Sequence, residues 1–222
     1  ETMFRHFTDA MSSDVLKWES VVRDMENGGV TYADKNVLIE RKVRLVEPEN
    51  GAKFISGGNL GINLTQPRRV LPFYNPPGAR GEDSILSTCL TDYTVKRIPV
   101  YTFHDGFGFY GSLLKGVLPL SLKKISLYDS ALITDRFYRA CLGWVRYKPL
   151  YTYLTQPEEY DRIMEESRER LEKSLPKVCA YFNRSEFRNL SEELQFYEKN
   201  VQSHYKEFRD AQRVWKKAVE KT

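Results

Sequence analysis

Two adjacent carboxylates, Glu82 and Asp83, are the residues of this chain best suited to acid–base chemistry. They follow Gly81 and precede an apolar stripe at helical spacing, so we expect them at the start of a helix. The free N–H groups of a helix N-terminus stabilise the charged form of a carboxylate. A carboxylate held there can accept a proton from a substrate hydroxyl. The same short pattern is also typical of an ordinary helix cap, and that alternative stays open.

A glycine-rich turn and a histidine lie on either side of the acidic pair in the sequence. The turn ends at Asn59, well before Glu82, and His104 follows Asp83 at a similar separation along the chain. Each stands at the end of a predicted strand or the start of a predicted helix, where α/β folds place their ligands. We therefore expect one cleft, covered by the glycine- and aromatic-rich loop Phe107–Tyr110.

This order of motifs resembles the second half of a GT-A glycosyltransferase, near the large inverting family 2 type. Such enzymes often carry Gly-Gly-Asn at a strand start, an acidic pair after a variable loop, and then a strand leading to a histidine or another polar residue. The likeness covers about a third of the chain, from Val37 to Gly111. Its matching residues are Gly57, Gly58, Asn59, Glu82, Asp83 and His104.

The resemblance implies a role for each of these residues. Asp83, or its neighbour Glu82, would be the general base that deprotonates the acceptor hydroxyl. His104 would bind a divalent metal, Mn or Mg, that neutralises the departing diphosphate. The residues that bind the substrate would be Gly57, Gly58, Asn59 and Arg80. The implied partners are a nucleotide-sugar donor and a saccharide or other hydroxyl acceptor.

The chain departs from the family pattern at its N-terminal side. Such enzymes carry an Asp-x-Asp metal motif some tens of residues before Gly-Gly-Asn, and no copy of it occurs here. The first residues, Glu1-Thr2-Met3, are not typical of a natural start. We therefore expect a partial, acceptor-side half of an enzyme, which would be a poor catalyst by itself.

Composition narrows the class of protein. Of the 222 residues 41% are hydrophobic, and the net charge is +4, too small to indicate nucleic-acid binding. Three widely spaced cysteines form no Cys-x-x-Cys, so a reducing, cytoplasmic setting is expected, and a peripheral position at a membrane stays open. No apolar run is long enough for a transmembrane span.

The predicted fold class is α-rich α/β: the C-terminal part of a GT-A-like mixed sheet with helices, followed by a long antiparallel helical hairpin. The sheet is predicted from three alternating or β-branched segments, Val37–Val46, Lys53–Leu64 and Val95–Phe103. The predicted domains are residues 1–156, glycosyltransferase-like, and residues 157–222, the hairpin.

The hairpin is predicted from two apolar stripes, within Pro157–Phe182 and Phe187–Ala218, joined near Asn183 to Glu186. The second stripe alternates spacings of three and four without a break, which indicates one long helix folded back on the preceding one. His204 lies in this stripe, where it is expected to be packed.

Two other functions compete with the glycosyltransferase. The first is a non-catalytic interaction module, a small α+β head on a helical hairpin, which binds a protein partner or a second subunit through its C-terminal helices. The second is a metal-dependent phosphohydrolase built on His104-Asp105. Such sites need more histidines than His6 and His204 can supply, so this interpretation is the weakest.

Overall fold

The computed structural model describes residues 30–31, 43–55, 57, 60–98, 124–125 and 131–221. The chain divides into two units. Unit 1 is Glu1–Arg44, Lys96–Arg139 and Glu169–Arg188, and unit 2 is Leu45–Val95, Ala140–Arg168 and Asn189–Thr222. Neither unit coincides with the predicted division after residue 156, which stays a prediction.

Among the described residues, four short strands form two two-stranded sheets. Strands β1 (Val30–Thr31) and β4 (Lys124–Ile125) pair antiparallel, with Val30 opposite Ile125. Strands β2 (Arg44–Leu45) and β3 (Lys96–Arg97) form the other pair. The first and third predicted strand segments are thus paired where they are described.

The prediction of a strand at Lys53–Leu64 is wrong for the described residues of that segment. The N–H groups of Lys53 and Ile55 donate to the carbonyl and the hydroxyl of Ser87 at 3.0 and 3.1 Å. Both N–H groups are thus bonded to the last residue of the helix Glu82–Ser87. They are therefore not available to pair with a neighbouring strand. Residues 60–64 carry no strand either, and their side chains are exposed or half-buried.

Five helices are described. They are α1 (Glu82–Ser87), α2 (Ala131–Thr155), α3 (Tyr160–Phe182), α4 (Asn189–Lys199) and α5 (Val201–Val219). None of these helices is both long enough and apolar enough to cross a membrane. The helix-rich class predicted from the sequence is confirmed, together with small sheets.

Helix α2 lies further along the chain than the sequence indicates. Helical spacing predicts weak helix over Ser121–Val145, but Lys124–Ile125 is strand β4, and α2 begins at Ala131 and continues through Pro149 to Thr155. A proline inside a helix costs about 3 kcal/mol, which explains why the pattern is misleading. Burial of Val145 and Leu150, both 0% exposed, offsets this cost, since each such side chain contributes roughly 1.5–3 kcal/mol.

The first predicted helix of the tail is present as α3, with its apolar stripe buried as expected. Arg168 of α3 forms an ion pair with Glu198 of α4 within unit 2. The rings of Phe182 and Phe187 stack at 5.3 Å within unit 1. The ion pair joins the first half of α3 to the last turn of α4, as the predicted antiparallel hairpin requires, whereas Phe187 belongs to the 3-10 turn Ser185–Arg188 before α4. The buried stripe of α3 comprises Met164, Ser167, Leu171, Leu175, Val178 and Phe182.

The prediction of one unbroken helix over Phe187–Ala218 is wrong, because α4 ends at Lys199 and α5 begins at Val201. The Asn200 side-chain amide donates to the Phe196 carbonyl at 2.7 Å, a local bond that competes with continued helix. After this break the partner changes: Phe208 packs with Ile85 of α1 and Leu150 of α2. Phe208 of α5 is thus buried against two helices that the predicted hairpin did not include.

Unit 1 contains its own aromatic core. Tyr138 of α2 meets the edge of Phe187 at 5.2 Å. Arg184 pairs with Asp135 and lies over the Tyr138 ring, with its Cζ 5.2 Å from the ring centroid. The turn after α3 is thus fastened to the start of α2.

Candidate functional site

The acidic pair lies in the first turn of α1, as predicted, in unit 2. Gly81 is the residue before the helix, and its carbonyl accepts a hydrogen bond from the Ile85 N–H at 2.8 Å. Ile85 and Leu86 face inwards and are 0% and 5% exposed. Burial of this apolar face fixes the short helix, so the carboxylates at its start have a defined position.

Asp83 contacts the glycine-rich turn. Its Oδ2 accepts a hydrogen bond from the Gly57 N–H at 2.9 Å, and its Oδ1 accepts one from its neighbour Ser84 at 2.8 Å. A Cβ at position 57 would lie 3.3 Å from the Asp83 Cβ, tighter than ordinary contact. Glycine at 57 thus allows the turn and the carboxylate, which are distant in the sequence, to approach each other.

Glu82 turns to a different segment. Its Oε2 accepts hydrogen bonds from the Gly81 N–H at 3.1 Å and from the Asn75 amide at 3.3 Å. The same Asn75 amide donates to the Ala79 carbonyl at 2.6 Å. Glu82 is exposed, whereas Asp83 is half-buried. Glu82 thus holds the proline- and glycine-rich loop, and Asp83 holds the glycine turn.

Helix α2 fixes the loop that carries the pair. The Arg80 N–H donates to the Gly143 carbonyl at 3.0 Å. A side chain at Gly143 would collide with the Arg80 side chain, and a Cβ at Gly81 would lie 2.5 Å from the Cγ of Tyr147. The two glycines therefore let the loop and the helix come close together.

Sequence reasoning missed Asn75, Gly143 and Tyr147. A signal for one of them was present, because a glycine inside an apolar helical run indicates close approach of another backbone. Nothing in the local sequence indicates that Asn75 joins Ala79 to Glu82, since that contact depends on the path of the loop.

The structure brings together four of the predicted site residues in one region of unit 2: Gly57, Arg80, Glu82 and Asp83. Gly58, Asn59, His104 and the Phe107–Tyr110 loop lie outside the described residues. Among the residues that the structure describes, no group of three or more histidine, cysteine, aspartate or glutamate side chains could hold a metal ion. The described part of the site does not fit a metal by itself.

The core beneath α1 supplies no reactive group. Ile85, Leu150 and Phe208 form its centre, with Cys89 and Tyr151 packed against them. Burial raises the pKa of the Cys89 thiol and of the Tyr151 hydroxyl. Both groups therefore stay protonated at neutral pH, and neither is suited to act as a base.

The chain was compared with protein-family models, curated proteins and solved structures, and none of them matches it.

Proposed function

We propose that this chain is the acceptor-side part of a nucleotide-sugar-dependent glycosyltransferase, with Asp83 as the general base. The observation that carries the proposal is the 2.9 Å hydrogen bond from the Gly57 N–H to Asp83 Oδ2. It joins two motifs of the GT-A pattern that lie far apart in the sequence.

Asp83 rather than Glu82 is the base in this proposal because only Asp83 contacts the glycine turn. That turn lacks side chains at Gly57 and Gly58, so a sugar can approach its backbone closely. Two backbone N–H groups hold the Asp83 carboxylate in a fixed orientation. Each carboxylate oxygen has a second lone pair with which it can accept a proton.

The proposed step is a displacement at the anomeric carbon of the donor. The acceptor hydroxyl forms the new bond to that carbon while its proton passes to Asp83. The bond to the nucleoside diphosphate breaks, and that group leaves with the electron pair. Asn59 and Arg80 are proposed to bind substrate, and His104 to hold a divalent metal that would neutralise the departing diphosphate when bound.

The test is Asp83→Asn, with release of nucleoside diphosphate measured from a panel of nucleotide sugars in the full-length natural protein. We expect transfer to fall by about 100-fold or more, as for a lost general base, while donor binding is retained. Thermal melting controls for the fold, because asparagine has only one oxygen for two N–H donors.

Glu82→Gln is the matched control. A glutamine oxygen can still accept from Gly81 and Asn75, so we expect near-parental transfer. Loss of transfer in Glu82→Gln but not in Asp83→Asn would identify the other carboxylate as the base. If neither folded variant changes transfer, the glycosyltransferase proposal fails.

A second candidate is the non-catalytic interaction module. It is favoured by the fact that both Asp83 oxygens accept backbone N–H groups, which suffices to explain an aspartate here by a structural role, because it joins the glycine turn to the first turn of α1. The interaction module predicts no nucleoside diphosphate release above background from any donor, in the parent or in either variant.

A further inference from the structure

We propose that unit 2 docks on an anionic phospholipid surface through the C-terminal turns of α5 and the neighbouring segment 60–70. This surface is distinct from the acidic pair and does not depend on the proposed glycosyl transfer.

The C-terminal turns of α5 present an exposed face that is both apolar and basic. Val214, Lys217, Ala218 and Lys221 follow one another at spacings of three, one and three, so they lie on one side of the helix. All four are exposed, and Val214 is 63% exposed. The buried stripe of α5 ends at Phe208, so this face is not the one that packs in the core.

Segment 60–70 lies alongside these turns. The indole N–H of Trp215 donates to the Val70 carbonyl at 2.7 Å. The segment exposes two large aliphatic side chains, Ile62 at 44% and Leu64 at 67%. It also exposes Arg68 in the 3-10 turn Pro67–Arg69. Apolar side chains are therefore displayed on both neighbouring elements.

The charge of these two elements favours an anionic partner. Segment 60–70 has two arginines and no acid. Residues 209–221 have five basic residues against two acids, Asp210 and Glu220. Asp210 forms an ion pair with Arg213 at 3.0 Å, and Glu220 follows Lys217 by three residues, so it lies beside that lysine on the helix surface. The excess over the two acids is three positive charges. The five basic residues are Arg209, Arg213, Lys216, Lys217 and Lys221.

The combination of exposed aliphatic side chains with lysine and arginine fits a bilayer surface better than a nucleic acid. Aliphatic groups enter the boundary between headgroups and acyl chains, while basic groups attract anionic headgroups. Single-stranded nucleic acid is instead held by stacking on aromatic rings. Trp215 is 36% exposed, but it is the single aromatic residue in 209–221, and one ring does not form a platform on which successive bases can stack.

The experiment is co-sedimentation of the 222-residue chain with vesicles of phosphatidylcholine, with and without phosphatidylglycerol. We expect binding only to the anionic vesicles and weaker binding at high salt. The double variant Lys217→Gln, Lys221→Gln should lower the partition constant roughly 25-fold, since each basic residue contributes about fivefold. Val214→Asp should lower it by a similar factor, because it removes an apolar contact and adds a repelled charge.

The matched control is Lys173→Gln with Lys177→Gln, two exposed lysines of α3 in unit 1. It changes the net charge equally and should leave binding unchanged. Absence of binding to anionic vesicles would overturn the proposal, and so would an equal loss in the control pair. Self-association that Val214→Asp abolishes without vesicles present would also overturn it, in favour of an interface with a second copy. Circular dichroism establishes that each variant is folded.

Discussion

Gly81 occupies a position at which a side chain has no room. A Cβ there would lie 2.5 Å from Cγ and 2.8 Å from both Cδ atoms of the buried Tyr147 ring. The ring cannot move without disturbing the packing of α2. We expect Gly81→Ala to lower the free energy of unfolding by about 1–3 kcal/mol, as for an overpacked site. Urea unfolding measures this change.

Gly61 provides the matched control in the same unit. A Cβ at position 61 would have nothing within 4 Å, so Gly61→Ala should leave stability unchanged or raise it by up to about 1 kcal/mol. An equal loss in both variants would mean that the effect comes from glycine itself and not from Tyr147.

At the scale of elements, His204 marks the junction of α4 and α5. It is 7% exposed in the first turn of α5, and its ring centroid lies 5.0 Å from that of Tyr197 on α4. Burial lowers the pKa of His204 and outweighs the opposing effect of Glu207. The packed histidine expected from the sequence is confirmed.

The lowered pKa predicts a loss of stability in acid. Above the ordinary histidine pKa of about 6.5, His204 is neutral in both the folded and the unfolded chain. As the pH falls below that value, the unfolded chain takes up a proton first, so the free energy of unfolding decreases until the folded pKa is passed. Urea unfolding over this range should show the decrease in the free energy of unfolding. The variant His204→Phe should remove the part of that decrease that comes from protonation of His204. An identical pH dependence in parent and variant would contradict the prediction.

The elements that sequence reasoning predicted best are those whose signal is periodic. The stripe of α3 is buried from Met164 to Phe182, because a helical period needs no knowledge of the partner. The errors arise where contacts between residues distant in the sequence determine which element forms or which partner it packs against. Lys53 and Ile55 bond to Ser87 instead of a neighbouring strand, and α5 packs on Leu150 of α2 through Phe208.

The candidate site was likewise predicted only where the local sequence determines it. The position of the acidic pair at a helix start followed from Gly81 and the apolar residues after it. The direction of each carboxylate did not, because it depends on which loop N–H groups are close. Adjacent side chains in the first turn of α1 thus contact Gly57 and Asn75, which belong to different segments of the chain.

At the scale of the whole molecule, two helices belong to both units. Helix α2 passes from unit 1 to unit 2 after Arg139, and α3 passes from unit 2 to unit 1 after Arg168. Neither boundary coincides with a loop. Separate domains are normally joined by exposed linkers that few contacts cross, so the two units are not joined in that manner.

Helices shared in this way should make the two units unfold together. Leu175 is 5% exposed in the unit 1 part of α3, and Leu175→Ala should lower the free energy of unfolding by about 2–5 kcal/mol. Because α3 runs without a break from unit 2 into unit 1, opening of unit 1 alone would have to end this helix near Arg168. We therefore expect Leu175→Ala to accelerate amide hydrogen exchange by a similar factor in residues 175–182 and in residues 201–208.

The control is Lys173→Ala, at an exposed position near Leu175. It should change the exchange rate in neither range. Faster exchange confined to residues 175–182 would show that the units open independently, despite the helices that they share.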